Sequence, residues 1–290
     1  DDNDDNDLRF FKVTGGPSNP AMSEEGFISI GTAWPQNAGN LGPQSGSAAR
    51  IDLGFDWVQS AVWRNGLLYF SQSFALPSGS TPNTATIQIA SCNPVTNTVV
   101  EAFRYNTDQN TMYSYANLTV NESGDWIISS AKFTSTSFPS AAVSVRRNGT
   151  NTFTETIFKA GEDWYNLPAA DGRNRWGDYT TAAIDPSDDN SVWVAAPYSG
   201  LRSNPNNTNG TWGTWWAKIC TGNCPLTTVV NTIQQPGTMK KFEASFSVIG
   251  VNEIKPGADI KFDAGTRIVL QNGFKAVAGS RVRMFIEGCR

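Results

Sequence analysis

The feature that most constrains this chain is a hairpin written three times. "QSAVWRNGLLYFSQSFAL" joins two apolar runs at Asn65-Gly66, a dipeptide that supplies the positive φ angles of a two-residue turn. "ANLTVNESGDWIISSAKF" repeats the plan around Glu122, Ser123 and Gly124, with Val120 and Trp126 on either side. "AAIDPSDDNSVWVAAPYS" repeats it at "DPSDDN", between Ile184 and Val192-Trp193-Val194. Further short runs follow each hairpin: "TATIQIASC" and "TVVEAFRY", "SAAVSVRRNG" and "FTETIFKAG", then "WGTWWAKIC". Runs this short, bounded by Gly, Asn, Asp and Pro, are strands, so the fold class is all-β.

Each unit reads as two hairpins of four strands, at roughly the 40–60-residue spacing of propeller blades. The inner strands of each carry small residues, "SAV", "YAN" and "TAA", as close packing around an axis requires. Ten tryptophans suit the spaces between blades. A sandwich also uses short strands, but it does not repeat a four-strand unit. The expected architecture is a partial β-propeller over residues 8–224, with about four blades. The first is incomplete and drawn from "LRFFKVTG" and "EGFISIGTAWP". Because propellers close with about four to eight blades, further segments of the same polypeptide are expected to complete the ring.

The texture changes after Cys224. "PLTTVVNTIQQPGTMKK", residues 225–241, reads as a linker. Residues 242–290 then place Gly257, Gly265 and Gly273 at eight-residue intervals, followed by Gly279. Between them stand Ile260/Phe262, Ile268/Leu270 and Val282/Met284/Ile286, the pattern of a small stacked β-coil domain. At the other end, "DDNDDND" alternates like a calcium loop but has Asn6 where a glycine belongs and Lys12 where a glutamate belongs. Residues 1–7 therefore read as an acidic, disordered-like segment.

Composition excludes several chemistries. There is no histidine, so Ser-His-Asp triads and His-ligated zinc are impossible within these residues. A net charge of −4 without a basic run argues against nucleic acid. No apolar stretch approaches the roughly 20 residues of a membrane helix, so no membrane insertion is expected. Hydrophobic residues make up 39% and charged ones only 17%, which fits an extracellular β-protein rich in Ser, Thr, Asn and Gly. In that setting Cys92, Cys220, Cys224 and Cys289 are disulfide candidates, with Cys220 and Cys224 close enough in "CTGNC" to bridge if geometry allows. Five glycosylation-type sequons, at Asn117, Asn121, Asn148, Asn206 and Asn209, are expected in exposed loops.

The densest cluster of chemistry-bearing residues runs from Gly172 to Ala196. Arg173, Arg175, Trp176, Asp178 and Tyr179, with Arg50, are the ligand-contact candidates. The aromatic pair offers rings to stack on a sugar and Arg173 a contact to a polar group. The competing reading is structural: an Arg175–Asp178 pair across a turn at Gly177, Trp176 packed between blades, and Tyr179 starting an inner strand. Asp185, Asp188 and Asp189 in "DPSDDN" are oxygen ligands of the kind Ca²⁺ takes, against a plain solvated turn; no other cofactor is implied.

These residues carry a resemblance. "SAVWRNGLLYFSQSFAL", "SFPSAAVSVR", "FKAGEDWY", "NRWGDYTTAAIDPSDDNSVWVAAPYS" and "WGTWWAKI" together resemble the later blades of secreted bacterial propellers of the BNR-repeat or sialidase-like type, over roughly Ala48 to Ile219. "GADIKFDAGTRIVLQNGFKAVAGS" is similar to the three-coathanger stack modules of Bacteroidetes surface proteins, over Phe242 to Ile286. The two together imply a large exported protein at the bacterial cell surface or outside it, with type IX secretion as a conjectured route, since no sorting domain is visible here.

Sialidase chemistry would require three arginines on a carboxylate, a tyrosine nucleophile backed by a glutamate, and an aspartic acid–base. Arg50, Arg64, Arg104, Arg173, Arg175, Tyr179 and Asp178 are the residue types available; no glutamate is near Tyr179 in sequence, and folding would have to bring Glu101 or Glu162 to it. Neither an F/Y-R-I-P strand end nor an Asp box is present; "NESGDW" does not match one. The sequence therefore leans to a non-enzymatic propeller for adhesion, recognising surface glycans or other surface proteins. A sialidase-like glycoside hydrolase and a structural subunit of an extracellular assembly are the alternatives.

Overall fold

The structure, a computed structural model, describes residues 7–30, 39–54, 57–76, 83–105, 110–204, 209–221, 227–244 and 246–286. Its regular elements are all strands, with no helix among the described residues. β1 (Asp7–Thr14) and β2 (Ala21–Ser29) form a hairpin, and β3 (Asn40–Gly42) pairs briefly with β4 (Ile51–Asp52). Of the acidic leader, only Asp7 is described, as the first residue of β1.

Three antiparallel meanders follow. β5 (Val58–Arg64), β6 (Leu67–Leu76), β7 (Thr84–Asn93) and β8 (Thr98–Tyr105) pair in sequence order. Asn65 and Gly66, at φ 50° and 79°, make the expected left-handed turn between β5 and β6. β9 (Thr111–Val120), β10 (Trp126–Thr134), β11 (Ser137–Arg146) and β12 (Phe153–Lys159) form the second sheet. β13 (Thr181–Ile184), β14 (Val192–Gly200) and β15 (Thr211–Ile219) form the third, which has three strands where four were expected.

The meanders stack face to face. Ile87 and Ile89 of the first sheet meet Leu118, Val120 and Ile128 of the second, with the Trp126 ring edge-on to Tyr69 and Phe103. Val143 and Val145 of the second sheet then meet Val192, Val194, Ala217 and Ile219 of the third. Because the second sheet is covered on both faces, β10 and β11 are buried almost throughout. Their sequences accordingly run mostly in small and apolar residues instead of alternating, interrupted by Lys132 in β10 and Arg146 at the end of β11. The β1–β2 hairpin covers the far face of the first sheet through Ile28, which packs on Phe70, Ala90 and Cys92. Both ends of this stack expose apolar side chains: Phe11, Val13 and Met22 at one, Trp193, Trp212 and Trp216 at the other.

Beyond residue 226 the pairing becomes parallel. β16 (Thr227–Val230), β17 (Met239–Ala244), β18 (Ser247–Gly250), β19 (Glu253–Ile254), β20 (Asp259–Ala264), β21 (Arg267–Leu270), β22 (Lys275–Ala276) and β23 (Arg281–Phe285) wind into a three-faced coil. Thr227, Ser247 and Arg267 stand in one row, as do Met239, Asp259 and Arg281. One turn therefore takes 20 to 22 residues, and the eight-residue glycine step spans successive corners within a turn. The repeat that marks the coil is Gly237, Gly257 and Gly279, all at left-handed φ, bonded N–H to carbonyl at 3.2 and 2.8 Å. The segment read as a linker carries β16 and the start of β17. Its alternation was hidden because a four-residue strand shows too little periodicity. The coil docks on the third sheet: Phe246 is fully buried among Val192, Val194 and Ile219, and the Thr266 hydroxyl donates to the Lys218 carbonyl at 3.2 Å.

Cys92 and Cys220 are buried free thiols, not disulfide partners. Cys92 packs under Ile28 on the first sheet, and Cys220 directly follows β15 of the third. Cys224 and Cys289 lie outside the described residues, as does Asn206. Of the sequons, Asn121 is fully buried and Asn117 sits within β9, where it accepts from the Ala182 amide at 3.0 Å. Neither is in an exposed loop.

Candidate functional site

The Arg173–Tyr179 segment is a clasp between the meanders and the 39–54 segment. The Arg173 guanidinium is ion-paired to Asp52, which has no exposed surface. Asn174 is buried and bonds Arg50 O and Tyr165 O through its amide, while its own oxygen accepts from the Leu167 amide at 2.8 Å. Trp176 is 5% exposed, edge-on between Phe133 and Tyr165. Arg175 and Asp178 pair across Gly177 at 3.0 Å, both half-exposed. Thr180 donates into the second sheet, at the carbonyls of Tyr115 and Ser129. Arg50 reaches back to the Leu41 carbonyl at 3.1 Å. Of the six ligand candidates, Trp176 is buried and Arg173 half-buried, whereas Arg50, Arg175, Asp178 and Tyr179 are exposed, Tyr179 at 75%.

"DPSDDN" is likewise engaged. Asp189 receives both guanidinium nitrogens of Arg64 at 2.8 and 2.6 Å, tying the β13–β14 turn to the β5–β6 turn. Asp188 accepts from Ser191 and Asn190. Asp185 takes the Lys218 ammonium at 2.8 Å, the Ser187 hydroxyl and the Trp193 indole. Lys218 and Ser187 hold the Asp185 carboxyl well below the usual carboxylate range, and Asp185 in turn raises Lys218. No group of three metal-ligating side chains is gathered among the described residues.

The residue types weighed for glycoside cleavage are dispersed. Arg64, Arg173 and Arg175 serve three different aspartates, and Arg104 lies over the Phe74 ring. Glu101 pairs with Arg146 and Glu162 with Lys159. A Tyr–Glu pair exists elsewhere: Tyr113 donates to Glu155, which is also bound by Lys132. Burial above all, with Tyr105 and Glu155 adding, pushes the Tyr113 phenol far up, opposite to what a nucleophile needs.

The third sheet's open face holds the arrangement that sequence reading missed. In the β14–β15 register, Trp193 stands opposite Lys218 and Ala195 opposite Trp216, so these side chains share one face. Val192, Val194, Ala217 and Ile219 take the other face and are buried. The Trp193 and Trp216 ring centroids are 5.4 Å apart with planes inclined at 50°. Trp216 is 66% exposed and Trp212, on the same parity of β15, 54%. The Trp193 indole nitrogen donates to Asp185 at 3.0 Å, which fixes one ring of the pair. Trp215 points the other way, edge-on to Tyr198 beneath the Lys159 ammonium. "WGTWWAKI" does place Trp212 and Trp216 on one side by parity. Their meeting with Trp193 depends on a register that the ten-residue connection between the strands leaves open.

Compared with protein-family models and with curated proteins, the chain gives no match.

Proposed function

We propose that this chain is a non-enzymatic recognition module of a secreted or cell-surface bacterial protein, and that its binding surface is the Trp193–Trp216 face. In this reading the stacked meanders are blades of a sialidase-like propeller and the parallel coil is a coathanger-type module. Meanders stacked in sequence order, with small residues in β9 and β13 at the contacts, support the propeller reading. The ligand is a glycan. The observation that carries this is an exposed indole pair on a sheet face, one ring anchored by a buried-side carboxylate. Large rigid aromatic rings bind the C–H faces of sugars at little conformational cost. Such a face is uncommon on a surface without a partner.

A screen on immobilised glycans tests the reading. The wild-type chain is expected to bind a set of glycans, and Trp216→Ala to lose them while melting at the same temperature. Equal binding by both proteins would move the site elsewhere.

A second reading has its own observation. The β1–β2 end of the stack exposes Phe11 and Val13 beside a concavity of about 650 Å³ lined by Phe10, Trp63, Leu68, Pro94 and Val95. Two apolar ends suit a subunit of an assembly, or further segments of the polypeptide stacked on each end. Concentration-dependent association in sedimentation, abolished by Trp216→Ala, would favour it.

A further inference from the structure

From the charges and the ring geometry of the Trp193–Trp216 face we infer that it takes neutral, soluble, single polysaccharide chains and excludes acidic ones. The inference rests on the glycan reading above. Lys218 is the ammonium near the pair, 5.8 Å from the Trp193 ring. It is shared by two carboxylates, Asp185 at 2.8 Å and Asp188 at 3.7 Å. One ammonium against two carboxylates leaves that edge of the face net negative. A uronate, sulfate or sialate arriving at that edge would meet repulsion from the carboxylate that Lys218 leaves uncompensated. Arg64 does not relieve this, because Asp189 holds both its terminal nitrogens. Arg175, before β13, is likewise held by Asp178.

The ring geometry narrows the ligand further. Planes inclined at 50° form a corner, so a flat crystalline surface can lie on one indole but not on both. A single chain can seat one sugar on each ring by turning between them. Trp212, four residues along β15 from Trp216, lies about 13 Å away at strand rise, and extends the contact to a further sugar. Asp185 pre-sets Trp193, so little order remains to be imposed on binding.

The test is affinity electrophoresis of the full chain in gels carrying one polysaccharide each: soluble β-glucan and galactomannan as neutral probes, polygalacturonate and hyaluronan as acidic ones. Pull-down on crystalline cellulose accompanies it. Retardation is expected in at least one neutral gel, unchanged by salt, and about tenfold weaker for Trp216→Ala and Trp193→Phe. The Phe variant keeps a ring while removing the indole N–H, so it separates loss of orientation from loss of fold. Retardation confined to acidic gels and lost with salt would overturn the neutral class while leaving glycan recognition standing. Cellulose binding with no effect of soluble glucan would overturn the single-chain claim. No retardation in any gel, with association of the protein by sedimentation, would overturn the glycan reading itself.

Discussion

Trp193 donates its indole N–H to Asp185 at 3.0 Å while its ring lies 5.4 Å from that of Trp216. The same carboxylate takes Lys218 at 2.8 Å, so one residue of a polar turn sets both the charge and the geometry of the open face. Asp185→Asn is expected to leave the fold intact and to weaken ligand binding several-fold. Trp193 emission would shift and broaden as the ring gains freedom; an unchanged spectrum would disconnect Asp185 from the site.

The same ion pair fixes a pH dependence. The folded Asp185 carboxyl is depressed by Lys218, so its stabilisation is fully present above the unfolded value of about 3.9. It falls away as pH drops through the lower folded value. Lys218 is raised, so its contribution holds below about pH 10.4 and is lost above. Thermal melts between pH 5 and pH 2 should fall more steeply for wild type than for Asp185→Asn. Parallel curves would contradict the assignment.

Arg173→Met should cost about 3–5 kcal/mol in urea unfolding, because it strands the fully buried Asp52 carboxylate without its partner. With the proposed binding surface on the Trp193–Trp216 face, folded molecules of this variant should bind ligand normally. A selective loss of binding without loss of stability would return Arg173 to the ligand-contact residues.

Phe246→Ala removes the fully buried ring that joins the coil to the third sheet. A loss of about 3–5 kcal/mol is expected, with the coil and the meanders melting in separate steps by calorimetry. One sharp transition at the wild-type temperature would mean the two parts are joined in another way.

Cys92 and Cys220 should resist alkylation at pH 8 in the native protein and react in denaturant without reductant. Burial pushes the Cys92 thiol up to about 11 and raises Cys220 as well. A bridged Cys220 in the non-reduced peptide map would overturn the free-thiol assignment.

Much of this fold was legible from residues. The Asn65-Gly66 turn and the β9–β10 and β13–β14 hairpins follow from turn chemistry and alternation, both local properties. The coil's turn length was not legible from Gly257, Gly265 and Gly273. Those glycines occupy different corners, and the row that stacks in space is 20 to 22 residues apart. The structural reading expected Trp176 to pack between blades; it is buried, edge-on to Phe133 and Tyr165. Arg173 attracted a functional reading that its buried partner explains, since nothing in the sequence joins position 52 to position 173. The exposed indole pair escaped notice for the same reason: it is a product of strand register, with Trp193 and Trp216 on neighbouring strands.

Hydrogen exchange with and without a soluble neutral glucan tests the central claim most directly. Slowed exchange in the peptides spanning Val192–Gly200 and Thr211–Ile219, absent in Trp216→Ala, is the predicted result. Protection confined to the Phe10–Trp63 concavity, or to the Arg173–Tyr179 clasp, would contradict it.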